Sequence, residues 1–161
     1  MSRPRLIILC LVLLTLAAYA RVPLNEFVNL DDDVYLTQNE QVQAGLTWET
    51  FTWAWTNLDA QFWHPLTWLS MLLDVQLYGL NPVGHHFSNI LLHVLNTVLV
   101  YLVIRAMTGS DWASALVAAL FSLHPTHVES VAWASARKDT LSTLFWLLTV
   151  AAYVRYVRHP S

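Results

Sequence analysis

Long apolar runs alternate with polar and amphipathic stretches along the chain. Residues 6–20 carry no charge between Arg5 and Arg21, and Val22 and Leu24 extend the run to residue 24. Residues 87–104 form a second run, entered from His85-His86 and left at Arg105. Residues 112–124 form a third, and residues 140–154 a fourth, followed by Arg155 and Arg158. A helix crosses the ~30 Å hydrocarbon layer with about 20 residues. The four runs therefore predict four membrane spans, of which the third is short and either crosses a thinned region or forms a re-entrant hairpin. Asn89, His93 and Asn96 interrupt the second run at steps of four and three, which is one helix face. Polar groups are costly in hydrocarbon, so that face should point at protein or at a wet cavity.

Two further stretches keep a helical period but do not read as spans. Trp48, Phe51, Trp55, Leu58 and Phe62 recur at steps of three and four within residues 46–63. Thr47 is placed to cap this helix, with Glu49 in its first turn. Tryptophan prefers the membrane–water boundary, and four of the eight tryptophans lie here. This stretch reads as a helix on the membrane surface. Residues 66–77 form the second stretch. It opens at Pro65, which suits a first helical position, and ends at Gly79 and Asn81-Pro82. The expected fold is all-α: a multipass helical membrane protein. It has about four transmembrane helices (residues 6–24, 87–104, 112–124 and 140–154) and outer loops at 25–86 and 125–139. Two interfacial amphipathic helices lie in the first outer loop. Arg3, Arg5 and Ala18-Tyr19-Ala20 also fit a cleaved leader. The uncleaved span is the preferred reading, because further membrane segments follow. Cys10 within it reads as a small buried apolar residue.

Composition sharpens this picture. Of 161 residues 56% are hydrophobic and 12% charged, where soluble domains average ~25% charged. Disorder is excluded by the apolar content. A disulfide framework is excluded by the single cysteine. A net charge of −3 argues against a nucleic-acid partner, because phosphate backbones are bound by basic surfaces. With the N-terminus in the cytoplasm and four crossings, Arg3, Arg5, Arg105, Arg155 and Arg158 fall inside. Arg21, Arg137 and Lys138 fall outside, a modest positive-inside bias. Ten of the eleven acidic residues fall outside as well, so the outer face is expected to carry the chemistry.

Four groups there could act. Asp31, Asp32 and Asp33 are adjacent carboxylates. Like charges this close resist joint ionisation, so one of them suits a general base. The triplet also offers the oxygen ligands a divalent cation takes, or is simply a solvated loop. His124, His127 and Glu129 have a spacing that can ligate a metal, or they are interfacial hydrogen bonders. Arg137 and Lys138 can hold a lipid phosphate, or anchor to headgroups. His93 facing His124 or His127 is an arrangement that can hold a haem iron. No cofactor is assigned; a divalent cation is the candidate that the triplet's oxygen ligands offer.

Several motifs carry a resemblance. The segment 29–37 (Asn-Leu-Asp-Asp-Asp-Val-Tyr-Leu-Thr) resembles the acidic first-loop motif of the transmembrane-and-tetratricopeptide-repeat glycosyltransferases. These are relatives of the protein O-mannosyltransferases with the GT-C fold. Segments 62–70 (Phe-Trp-His-Pro-Leu-Thr-Trp-Leu-Ser), 79–86 (Gly-Leu-Asn-Pro-Val-Gly-His-His), 124–133 (His-Pro-Thr-His-Val-Glu-Ser-Val-Ala-Trp) and 137–142 (Arg-Lys-Asp-Thr-Leu-Ser) are similar to the same family, in the same order. The similarity runs over residues 24–157. It implies an inverting transfer of a sugar from a polyprenyl-phosphate donor to an acceptor hydroxyl, expected on protein Ser or Thr. The reaction is expected on the extracytoplasmic face of a bacterial inner membrane or an endoplasmic-reticulum-type membrane. The implied general base lies within the triplet, Asp32 first, then Asp33 or Asp31. Arg137 and Lys138 are the implied phosphate ligands. His64, His86, His124, His127, Glu129 and Asp139 would shape the pocket. The implied partners are the lipid-linked donor, an acceptor protein and membrane lipid. The family has more spans and then repeats, so the chain is expected to be the N-terminal part of a larger GT-C domain. The competing reading is a non-catalytic membrane scaffold.

Overall fold

The computed structural model describes residues 2–58 and 62–158. Helices dominate it, and the described residues contain no strand. Helix α1 (Arg3–Ala18) is followed by a single 3₁₀ turn at Val22–Leu24. The acidic loop closes into a π turn over Asp33–Thr37, and α2 (Glu40–Gln43) follows. Next come α3 (Trp48–Thr56), α4 (Pro65–Tyr78) and α5 (Pro82–Thr108). Then α6 (Asp111–Leu123), α7 (His127–Ala132), a 3₁₀ turn at Ala134–Ala136 and α8 (Arg137–Arg158) complete the chain.

Three segments are long and apolar enough to cross a membrane: Arg3–Leu24, Pro82–Thr108 and Ala134–Arg158. The expected third span, residues 112–124, is α6, and its 13 residues are too few. At 1.5 Å rise per residue it covers roughly 20 Å, against the ~30 Å it would have to cross. Its C-terminal end stops at mid-height of α5. There the Ser122 carbonyl meets His93 Nε2 at 3.1 Å, and the Ser122 hydroxyl meets Thr15 Oγ1 of α1 at 2.7 Å. The chain completes the return through α7, and the Trp133 carbonyl accepts from Asn89 Nδ2 at 2.9 Å. This stretch is thus a short helix followed by a folded turn rather than one continuous span.

The core is narrow, because most apolar surface faces outward. Ile7 and Leu11 of α1, Val100 and Tyr101 of α5, Ala118 of α6 and Leu147 of α8 form one buried cluster. Leu6, Leu9, Leu13 and Leu14 of α1 remain exposed, as do Phe145, Trp146 and Tyr153 of α8. A water-soluble bundle would bury such stripes, whereas lipid tails solvate them. Cys10 lies on this exposed side, contrary to its expected burial. Asn89, His93 and Asn96 are all buried and face protein: Asn96 donates to the Thr140 carbonyl of α8 at 2.9 Å.

The loop helices form a second layer above this bundle. Thr47 caps α3 through a reciprocal pair with Thr50, and Glu49 sits in its first turn. The aromatic helix expected over 46–63 ends at Thr56, and residues 59–61 lie outside the described residues. Trp48, Phe51, Trp55, Leu58 and Phe62 are exposed, so much of this apolar stripe stays uncovered, although Trp55 meets Trp63 and Phe62 meets His64. Pro65 opens α4, whose face of Trp68, Met71, Leu72 and Val75 packs with Tyr35, Leu36, Val42 and Ala54 into a second buried cluster. Gly84 allows α5 to start tightly against α4: a Cβ there would lie 2.3 Å from the Tyr78 ring.

Candidate active site

The acidic triplet splits into three environments. Asp32 has no exposed surface. One of its oxygens accepts from the Val28 N–H at 2.9 Å. The other accepts from the Ser135 N–H at 2.9 Å and the Ser135 hydroxyl at 2.6 Å. Asp31 is exposed and Asp33 half-buried. The bonds from Asp32 to Ser135 fasten the first loop to the turn that leads into α8. Arg137 and Lys138 follow immediately, so the triplet and the basic pair share one corner of the molecule. They stand more than 100 residues apart in sequence.

The two basic residues diverge. Arg137 is 1% exposed. Its guanidinium donates to Asp74 Oδ2 of α4 at 2.6 Å, to the His85 carbonyl of α5 at 3.0 Å, and to Asn89 Oδ1 of α5. Ser88 Oγ donates to the other Asp74 oxygen at 2.7 Å. This buried ion pair and its satellites tie α4, α5 and α8 together. Lys138 is half-buried, and its ammonium stands 5.9 Å from the Tyr35 ring centre and 5.5 Å from that of Phe62. It borders an open cavity of about 420 Å³, whose walls are Trp55, Trp63, Leu66, Leu141 and Phe145, with His64 and Asp139 at the polar side. Lys138 is therefore the cation that faces the cavity, and Arg137 is held behind it.

Tyr35 links the acidic loop to this cavity. Its ring stacks on His64 at 5.6 Å and on Trp68 at 5.0 Å. Burial and the charge of Asp31 push the Tyr35 hydroxyl above its usual range. Both His64 ring nitrogens are buried without a hydrogen-bond partner among the described residues. Burial and the Lys138 charge hold this imidazole below its ordinary 6.5, so it is neutral at pH 7.

The other expected pocket residues are dispersed. His86 is buried at the start of α5 beside Phe27. His127 packs on Phe121 at 4.6 Å and lies 5.7 Å from His93. His124 is exposed and bonds Thr126 at 2.8 Å. Glu129 is exposed. Asp139 is exposed and accepts from the Ser130 hydroxyl at 3.3 Å. Among the described residues no three His, Cys, Asp or Glu side chains converge to hold a metal. The His124, His127 and Glu129 spacing therefore does not close into a ligand set. The His93 ring is packed between Tyr19 and Phe121, and its Nε2 already meets the Ser122 carbonyl at 3.1 Å.

Sequence reasoning missed Asp74 and Asn89 as partners of Arg137. A signal was present: Asp74 is the one charged residue in a largely apolar helix, and such a group needs a buried partner.

One consequence is a pH dependence. Burial also holds His127 below 6.5. Because both histidines are depressed in the folded state, the unfolded chain takes up their protons first. Their contribution is complete above about pH 6.5 and is lost as the pH falls below it. Melting temperatures measured in lipid nanodiscs are expected to drop between pH 7 and pH 5; a rise over that window would contradict the assignment.

No family model matches the chain, and no solved structure is significantly similar to it. Curated proteins do match. Protein O-mannosyl-transferase Tmtc2 of Drosophila melanogaster is 35% identical over 136 residues, covering 80% of this chain and 14% of that protein. Human protein O-mannosyl-transferase TMTC1 is 35% identical over 147 residues, 85% of this chain and 16% of its own length. Human TMTC4, of the same description, is 32% identical over 167 residues, 91% of this chain and 22% of its own length. The chain thus spans less than a quarter of these relatives.

Proposed function

The chain is a relative of the protein O-mannosyl-transferases, and from that premise we propose that it forms the N-terminal part of a GT-C glycosyltransferase. It transfers mannose from a polyprenyl-phosphate donor to a Ser or Thr hydroxyl of an acceptor protein. The reaction takes place at the extracytoplasmic face of an endoplasmic-reticulum or bacterial inner membrane. The observation that carries this reading is the union of two distant segments. The Asp32–Ser135 bonds hold an acidic loop beside a cavity that contains one cation and aromatic walls.

The roles follow from exposure and charge. Both Asp32 oxygens are occupied and the side chain has no open surface, so first place as general base moves to Asp31. Asp32 positions the loop. Asp31 takes the proton from the acceptor hydroxyl, whose oxygen attacks C1 of the sugar. The C1–O bond to phosphate breaks, and C1 inverts. Negative charge collects on the departing lipid phosphate, where Lys138 stabilises it. The polyprenyl chain lies along Trp55, Trp63, Leu66, Leu141 and Phe145. Neutral His64 bonds the phosphate or a sugar hydroxyl through its unpaired nitrogens. Arg137, locked to Asp74, fixes the start of α8 and hence the position of Lys138.

The test is donor binding. Polyprenyl-phosphate mannose is expected to bind the purified protein in nanodiscs. Lys138→Ala should weaken that binding about tenfold or more, as expected for one lost charge-assisted contact. Unchanged binding in Lys138→Ala, or no donor binding by the wild type, would favour the non-catalytic scaffold.

A further inference from the structure

A second concavity lies on the other side of the Tyr35–His64–Trp68 ring cluster. His64 borders the cavity described above, and Trp68 borders this groove. The groove measures about 480 Å³ and is edged by Val34, Gln38, Glu40, Gln41, Trp53 and Trp68. That volume falls within the ~300–1,000 Å³ of small-ligand sites. The Gln38, Glu40 and Gln41 side chains make no hydrogen bond or ion pair among the described residues. Trp68 is 1% exposed, and its indole N–H is buried without a hydrogen-bond partner among the described residues. A buried donor left open in this way calls for a bound water or ligand group.

We propose that this groove binds a neutral hexopyranose, separately from the donor cavity. A pyranose presents an apolar C–H face and a rim of hydroxyls, each both donor and acceptor. The matching wall is an aromatic surface edged by planar amides and a carboxylate. Trp53, half-buried, supplies the surface, backed by the buried Trp68 ring at 5.0 Å between centres. Each glutamine amide offers a donor and an acceptor, and a carboxylate accepts two O–H groups. Other ligand classes fit poorly. No cation lines the groove and Glu40 repels anions, which disfavours a phosphate. Val34 is the one aliphatic side chain on the wall, too little for an acyl chain. The described residues contain no strand edge to pair an extended peptide.

The assignment goes beyond the transfer chemistry and can fail without it. The experiment is saturation-transfer NMR on the protein in lipid nanodiscs, without sugar-headed detergent. The probes are methyl α-mannopyranoside and, separately, a Ser/Thr-rich peptide. Saturation is expected to reach the sugar ring protons in the wild type. Gln41→Ala and Glu40→Gln should each weaken sugar binding about tenfold at an unchanged melting temperature. Gln38→Ala serves as the replacement if either of these variants misfolds. Lys138→Ala, on the separate cavity, should leave the sugar signal intact. No saturation in the wild type would overturn the proposal. So would equal signals in the groove variants, loss of signal in Lys138→Ala, or peptide binding that displaces the sugar.

Discussion

Asp74→Ala is expected to cost about 3–5 kcal/mol of stability, because it strands a buried guanidinium without its counter-charge. Asp74 is 4% exposed and Arg137 1%, and their contact of 2.6 Å joins α4 to α8 across the first turns of α5. Coulomb attraction is strong there because little water screens it. The cost of desolvating either ion alone is equally large. Removing both charges is a different matter. Asp74→Leu combined with Arg137→Met should recover most of the loss, as paired apolar replacements of buried ion pairs do. Thermal unfolding in nanodiscs, followed by circular dichroism, separates the cases. If the single variant melts with the wild type, the pair is not the clamp that fixes the start of α8.

The second large effect divides two neighbouring carboxylates. Asp31→Asn should lower transfer by roughly 10²–10⁴-fold, the usual contribution of a general base, at an unchanged melting temperature. Asp32→Asn should behave differently. It places an amide N–H₂ against the Val28 N–H or against the Ser135 N–H and hydroxyl, all of which now donate to the carboxylate. Leaving such buried donors unsatisfied costs about 1–3 kcal/mol. The variant should therefore melt earlier, and its activity should fall because the loop shifts. The reverse pattern, a stable and inactive Asp32→Asn beside an active Asp31→Asn, would return the catalytic role to Asp32.

Local signals were legible in the sequence. The Thr47 cap, the Pro65 start of α4 and the shared burial of Asn89, His93 and Asn96 all follow from spacing within a turn or two. The exposed stripe from Trp48 to Phe62 was legible for the same reason. Non-local pairing was not. Asp74 and Arg137 lie 63 residues apart, and no period connects them. Arg137 thus read as a phosphate ligand together with its neighbour Lys138, although consecutive residues on a helix point in different directions. Likewise three adjacent aspartates look equivalent in sequence. Only the fold of residues 133–137 over the loop seals Asp32 and leaves Asp31 exposed. Residues 112–124 read as a short span or a re-entrant hairpin, and the structure ends α6 beside His93, with the chain folding on through α7.

The central claim is that Asp31 and Lys138 stand on one membrane face, at one site. In a Cys10→Ser background, Asp31→Cys and Lys138→Cys can each be exposed to a membrane-impermeant maleimide in sealed vesicles of known orientation. Both thiols are expected to react from the extracytoplasmic side, and a bifunctional reagent of short span should join them in the double variant. Modification from opposite sides would contradict the account.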